Sequence, residues 1–120
     1  MTIKRELGNK GEEEVAQWLE GHGFVILARN YTVRVGEVDI IAAYKDLIAF
    51  IEVKTRTTEY FPISQVVTPT KQKKIIKAAQ YFVLKNNITD KVLRFDVATV
   101  HFETQDRHRI SYIKNAFMRR

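Results

Sequence analysis

With 120 residues, 45% of them hydrophobic, the chain can bury one core but is too short for two ordinary domains, so residues 1–120 read as a single domain. A formal charge of +6 favours polyanionic partners, meaning nucleic acid or an anionic membrane surface. The absence of cysteine excludes disulfides and thiolate zinc sites, and nothing argues for an oxidising compartment.

The opening residues Met1 to Gly8 hold no apolar segment of the signal-peptide kind, and the strongest apolar run is stopped by Asp46 and Glu52, far short of a membrane span. The expectation is a soluble, cytoplasmic protein with no membrane partner. From Leu7 to Glu20 the residues Leu7, Val15, Ala16, Trp18 and Leu19 share one half of a helical wheel, and Gly21-His22-Gly23 supplies the stop. On that wheel Glu12 falls inside the apolar half beside Gly8 and Gly11, Glu13 points away and Glu14 lies on the rim. Two glycines on a packing face allow close approach to a sheet, and Glu12 would be delivered to whatever that sheet presents.

Phe24 to Ala28 predicts a strand leading into Arg29-Asn30-Tyr31, and Val35–Ala43 with Leu47–Thr55 predict a hairpin tipped by Lys45-Asp46. If Tyr44 pairs with Leu47, counting back sets Asp39 opposite Glu52 and Glu37 opposite Lys54, all on one sheet face. Two carboxylates about 5 Å apart repel by roughly 3 kcal/mol at an effective dielectric of 20, so the pair calls for a cation, a shared proton or a nearby lysine. Lys54 is one remedy and a divalent metal another. Both hairpin strands are apolar on two faces along much of their length, which predicts helices covering both sides of a central sheet.

Arg56-Thr57-Thr58 and Glu59 to Ile63 have the polar and aromatic character of a connection, in which Tyr60 and Phe61 offer packing or stacking on an unpaired base. Thr68-Pro69 opens a second helix, continued by Ile75, Ile76, Ala79, Phe82 and Val83 to about residue 87. Its polar side carries Lys73, Lys74 and Lys77, while Lys71 and Gln72 lie at the N-terminal end of the packing side, where a helix meets the site-bearing edge of a sheet. Val92–Val100 reads as a fourth strand and Arg109–Ile113 as a fifth, followed by a short turn through Asn115-Ala116-Phe117. Asp96 beside Arg94 reads as a structural ion pair, and His22, His101 and His108 lack the spacing of a histidine metal pair. The order helix, three strands, helix, two strands is that of an α/β protein.

Taken together, Gly8, Gly11-Glu12, Arg29-Asn30-Tyr31, Gly36 to Ile41, Phe50 to Arg56, Thr70-Lys71-Gln72, Arg94 to Val97 and Asn115 to Phe117 resemble the YraN family of bacterial proteins. That family is assigned to the PD-(D/E)xK nuclease superfamily and is similar to archaeal Holliday-junction resolvases. The resemblance spans nearly the whole chain and implies a restriction-endonuclease-like core, a central mixed sheet flanked by helices. It also implies that Asp39, Glu52 and Lys54 take the superfamily's metal-ligand and lysine positions, with Glu12 as the first-helix glutamate of the resolvase-like branch. Val38 stands where the superfamily's name carries proline.

The function these readings point to is Mg²⁺- or Mn²⁺-dependent hydrolysis of DNA phosphodiesters, with branched or flapped structures as candidate substrates. Asp39 and Glu52, with the Val53 carbonyl as third ligand, would hold the metal, Glu12 would complete the cluster directly or through water, and Lys54 would orient the attacking water or stabilise charge on the phosphate. Lys71, Gln72, Lys73, Lys74, Lys77 and Arg56 are the candidate nucleic-acid contacts. The alternatives are a non-catalytic nucleic-acid-binding module and an adaptor in a DNA-processing assembly. Symmetric cutting of a junction would require a homodimer.

Overall fold

The computed structural model describes residues 3–57, 67–104 and 106–118, with side chains from residue 6 onward. Helix α1 (Ile3–Gly21) leads into strands β1 (Val25–Val33), β2 (Gly36–Tyr44) and β3 (Leu47–Arg56), then helix α2 (Pro69–Lys85) and strands β4 (Val92–Thr104) and β5 (Arg107–Phe117). The strands form one mixed sheet in the order β1-β2-β3-β4-β5. Only β3 and β4 run parallel, because α2 carries the chain back across the sheet between them, and the other neighbours are antiparallel. This α/β arrangement, a five-stranded mixed sheet flanked by two helices, is compatible with a restriction-endonuclease-like core.

The helices cover opposite faces, as the doubly apolar hairpin strands predict. Val15, Ala16 and Leu19 of α1 pack on Ile40, Ala42, Ala49, Ile51, Ala98 and Val100. On the other face Ile75, Ala78, Ala79 and Phe82 of α2 meet Ile41, Ile48, Phe50, Phe95 and Val97. A row of phenylalanines crosses that second face, Phe50 stacking on Phe95 at 5.5 Å and Phe95 on Phe117 at 5.2 Å. Burying a side chain of this size is worth about 1.5–3 kcal/mol, so the row fixes the relative positions of β3, β4 and β5. No helix of the described residues is long and apolar enough to cross a membrane.

The local signals place the element ends. Gly23 at φ 90° ends α1, and the Phe24 N–H donates back to the Leu19 carbonyl at 3.0 Å. Thr68 caps α2, its hydroxyl accepting the Lys71 N–H at 3.3 Å, and Pro69 begins the first turn. The β2–β3 hairpin turns at Lys45-Asp46 with Tyr44 opposite Leu47, and Lys45 takes a left-handed φ of 52°.

Four readings are corrected. Strand β1 runs on through Asn30 to Val33, and β4 runs four residues past Val100, since both extend along a neighbour that pairs with them. The terminal turn at Asn115 is a bulge inside β5: Asn115 adopts φ 54°, its N–H donates to Asp96 at 2.8 Å, and the strand resumes to pair Phe117 with Phe95. Finally, the β2–β3 ladder stops at Ile40–Ile51, so the Glu37–Lys54 pair given by strict counting does not form in it. The predicted loop from Glu59 to Ile63, with Tyr60 and Phe61, lies outside the described residues.

Candidate functional site

Asp39 occupies an irregular stretch of β2. Val38 and Ile41 both pack on the α2 face while Ile40 packs on the α1 face, so the two-residue alternation slips once between Val38 and Ile41. Opposite this slip on β1 stands Asn30, at a left-handed φ of 51°. The consequence appears at the β2–β3 seam. Where the ladder ends, the Val53 N–H donates to the Asp39 carboxylate (Oδ2) at 2.7 Å, a side chain replacing the missing backbone acceptor.

Glu52 lies on β3 next to Ile51, the last laddered residue, and is only 5% exposed. Its carboxyl group is hydrogen-bonded to that of Asp39, so the expected pairing of these two acids is formed. A hydrogen bond between two carboxyl groups requires a proton between them. Burial first, then the charge of Glu52 and the hydrogen bond with it, push the Asp39 carboxyl up from 3.8 to about 7, against the Val53 N–H and Lys71. At neutral pH the pair is therefore balanced between sharing a proton and repelling.

The amine that answers the pair is Lys71. From the first turn of α2 its Nζ forms an ion pair with Glu52 Oε2, with its side chain 44% exposed. Lys54, two residues beyond Glu52 on β3, is exposed and makes no ion pair among the described residues. Sequence offered Lys54 or a divalent metal as the counter-charge and put Lys71 at the helix end facing the site-bearing edge; in the fold it is Lys71 that pairs with Glu52.

Glu12 approaches from α1. The helix sits close to the sheet at Gly11, where a Cβ would collide with the Thr55 hydroxyl, whereas Gly8 has open space around it. Of the two glycines, only Gly11 is needed for the approach. Burial raises the Glu12 carboxyl above its ordinary range and the charge of Asp39 raises it further, opposed by Arg29 and a hydrogen bond from Asn30. Arg29 is itself held by Glu13, Nη1 to Oε2 at 2.6 Å. Asn30 and Arg29 thus orient the helix edge that carries Glu12, a role the sequence reading missed. Its signal was an asparagine amid strand residues, the type most tolerant of a left-handed backbone.

Among the described residues, no three carboxylate or imidazole groups are gathered as a ready-made ligand set. Asp39 and Glu52 touch and Glu12 stands back from them. The donors that do converge are all oxygens, which suits a hard cation such as Mg²⁺ or Mn²⁺ and not a soft one. A buried acid pair whose second charge is costly is also a place where a divalent cation relieves strain.

Asp96 belongs elsewhere. It is fully buried and takes hydrogen bonds from Arg94 Nε at 2.9 Å, Tyr112 OH at 2.5 Å and Asn115 N at 2.8 Å, making it a structural knot that fixes the β5 bulge, as its pairing with Arg94 suggested. The helix cations divide by spacing. Lys71 and Lys74 line one cleft with the β1–β2 turn; Gln72, Lys73 and Lys77 line a second with Gln80 and Met118. The Gln72 amide also donates to the Val67 carbonyl at 3.0 Å, bracing the start of α2. Arg56 is half-buried at the end of β3.

Comparison with known proteins adds a family. The signature described as "Uncharacterised protein family UPF0102" matches residues 11–100. A UPF0102 protein of Caldicellulosiruptor saccharolyticus is 43% identical over 116 residues, covering 95% of this chain and 98% of the relative. Those of Clostridioides difficile and Geobacter metallireducens are 40% and 43% identical over 114 residues, covering 94% of this chain and 97% and 93% of the relatives.

Proposed function

The chain belongs to the UPF0102 family, and from that membership and the site geometry we propose that it is a metal-dependent endonuclease hydrolysing phosphodiester bonds in DNA. The observation that carries the proposal is the buried contact between the Asp39 and Glu52 carboxyl groups, brought together by two adjacent strands and faced by Glu12 from a helix. An acid pair of this kind is unfavourable for stability alone, and such groups concentrate where chemistry is done.

Asp39 and Glu52 would hold Mg²⁺ or Mn²⁺, with Glu12 reaching the ion through water. When bound there, the ion would polarise a phosphoryl oxygen and lower the pKa of its water. Asp39 is oriented for this by the Val53 N–H, which donates to its Oδ2 while the carboxyl group also meets Glu52. Lys71, released from Glu52 as the cation takes its place, would then be available to the phosphate. Lys54, exposed on the same strand, would offset negative charge on the phosphate as it develops.

A second reading, a nucleic-acid-binding module without cleavage, is favoured by one observation: Glu12 stands back, so the described residues present a pair and not a closed ligand set. A cleavage panel separates the two. Single-stranded, duplex, flap and four-way-junction DNA are incubated with Mg²⁺ or Mn²⁺ and either the wild-type or the Asp39→Ala protein. Metal-dependent nicking lost in the variant supports the nuclease. Nicking retained in Asp39→Ala and Glu52→Ala means the site is not the catalyst, and silence on every substrate alongside retained binding supports the module.

A further inference from the structure

Between the β1–β2 turn and the start of α2 lies a cleft of about 520 Å³ that includes Arg34, Lys71 and Lys74 along with Thr32 and Thr70. Gly36 brings its walls together, since a Cβ at that position would collide with the Lys74 carbonyl. Lys71 lines the cleft and is also ion-paired with Glu52, so the cleft adjoins the acid pair. Arg34 and Lys74 are exposed and have no ion-pair partner among the described residues, and Glu37 is the one carboxylate in the lining. No aromatic ring and no side-chain amide is found among these lining residues.

We propose that this cleft holds the sugar-phosphate backbone of a nucleic-acid duplex beside the cleavage site, and that it does so without reading sequence. The inference rests on the nuclease reading above and specifies how its substrate is held. Three cations against one carboxylate give a wall suited to successive phosphates, and the threonine hydroxyls add neutral donors for phosphate oxygens. Base recognition in duplexes uses amides and guanidinium forks in a groove, and single strands are held by stacking on aromatic rings. The lining offers no amide and no ring, and its one guanidinium, Arg34, stands with Lys71, Lys74 and threonine hydroxyls, a set matched to phosphates and not to base edges. Arg34 and Lys74 each neutralise one phosphate, and Arg34, on the turn and away from the helix, is a contact that only the folded arrangement brings forward.

The test uses the full chain carrying Asp39→Asn, to suppress cutting, and follows binding of a fluorescent duplex by anisotropy across a salt series. Replacing one phosphate contact lowers the magnitude of the slope of log K against log salt by about 0.9. Arg34→Ala and Lys74→Ala are each expected to give that decrease, together nearly twice it, and to weaken duplexes of unrelated sequence alike. Lys85→Ala, at the far end of α2, is expected to leave the slope unchanged. Four results would overturn the inference: an unchanged slope in the Arg34 and Lys74 variants, an equal loss in Lys85→Ala, effects confined to one sequence, or preference for single strands. None of these bears on metal-dependent nicking, so the cleavage panel still tests the nuclease reading independently, whereas no binding of any nucleic acid at low salt would overturn both.

Discussion

Replacing Asp39 by asparagine should make the metal-free protein more stable at neutral and alkaline pH. Asparagine is the isostere of the protonated acid: its Oδ1 can accept the Val53 N–H as Asp39 does, and its amide can donate to Glu52. The folded protein raises the Asp39 carboxyl from 3.8 to about 7, so between those values it binds a proton that the unfolded chain releases. Stability is then fully present below pH 4 and declines as pH rises to 7. A rise of that size corresponds to at most about 4 kcal/mol, and since Asp39 is partly exposed to solvent, about 2 kcal/mol is the working figure. In urea unfolding with EDTA, the stability gap between variant and wild type should be near zero at pH 4 and open to roughly 2 kcal/mol by pH 8. Adding Mg²⁺ at one hundred times its Kd should return about 2.7 kcal/mol to the wild type and little to the variant. A gap that is the same at pH 4 and pH 8, or a variant less stable at pH 8, would refute the reasoning.

The other predictions concern the elements around the pair. Lys71→Met should lower metal-free stability by about 1–2 kcal/mol by stranding Glu52, and more at low than at high Mg²⁺, read from thermal melts with and without the ion. Gly36→Ala should cost roughly 1–3 kcal/mol in chemical denaturation, since the methyl group meets the Lys74 carbonyl and not a yielding side chain. Asp96→Ala should cost about 3–5 kcal/mol because it strands the half-buried Arg94 and removes the acceptor of Tyr112 and the Asn115 N–H, yet leave the midpoint of a Mg²⁺ titration of the folded protein unchanged. Lys54→Ala should reduce nicking at least tenfold while leaving the unfolding free energy in urea within about 0.5 kcal/mol of wild type, as befits an exposed side chain.

Much of this fold could be read in the chain because its signals are local. Thr68-Pro69, Gly23 and the Lys45-Asp46 turn each act within a few residues, and the hairpin register as far as Ile40–Ile51, just beyond which Asp39 and Glu52 meet, follows from counting outward from that turn. Counting fails where geometry departs from regular alternation. The slip between Val38 and Ile41, the left-handed Asn30 and the Asn115 bulge each combine an ordinary residue with a tertiary demand, and only the pairing partners reveal them. For Lys71, periodicity put the residue at the helix end facing the site-bearing edge, but its partner Glu52 lies nineteen positions away in another element, so the pairing itself had no local signal. Lys54 was nearer in sequence and on the same strand face, which is why it stood beside a divalent metal as a remedy for the pair.

That contact also changes how the site should respond to a cation. If the acid pair were balanced only by a shared proton, metal binding would involve the two strands and leave α2 where it is. With Lys71 anchored on Glu52, a divalent ion competes with an ammonium group borne by the first turn of α2, and that turn also forms one wall of the cleft with Arg34 and Gly36. An ion occupying the site would therefore free a cation in the wall of the cleft, raising its positive potential where a phosphate would enter. By linkage, the duplex should bind more tightly when the ion is present, and the ion more tightly when the duplex is present, by the same factor. Calcium serves as the probe if it binds without supporting cleavage. In Lys71→Met the coupling should shrink toward one while binding of each ligand alone persists. Equal coupling in the wild type and Lys71→Met would mean that the lysine is only a structural counter-charge for Glu52.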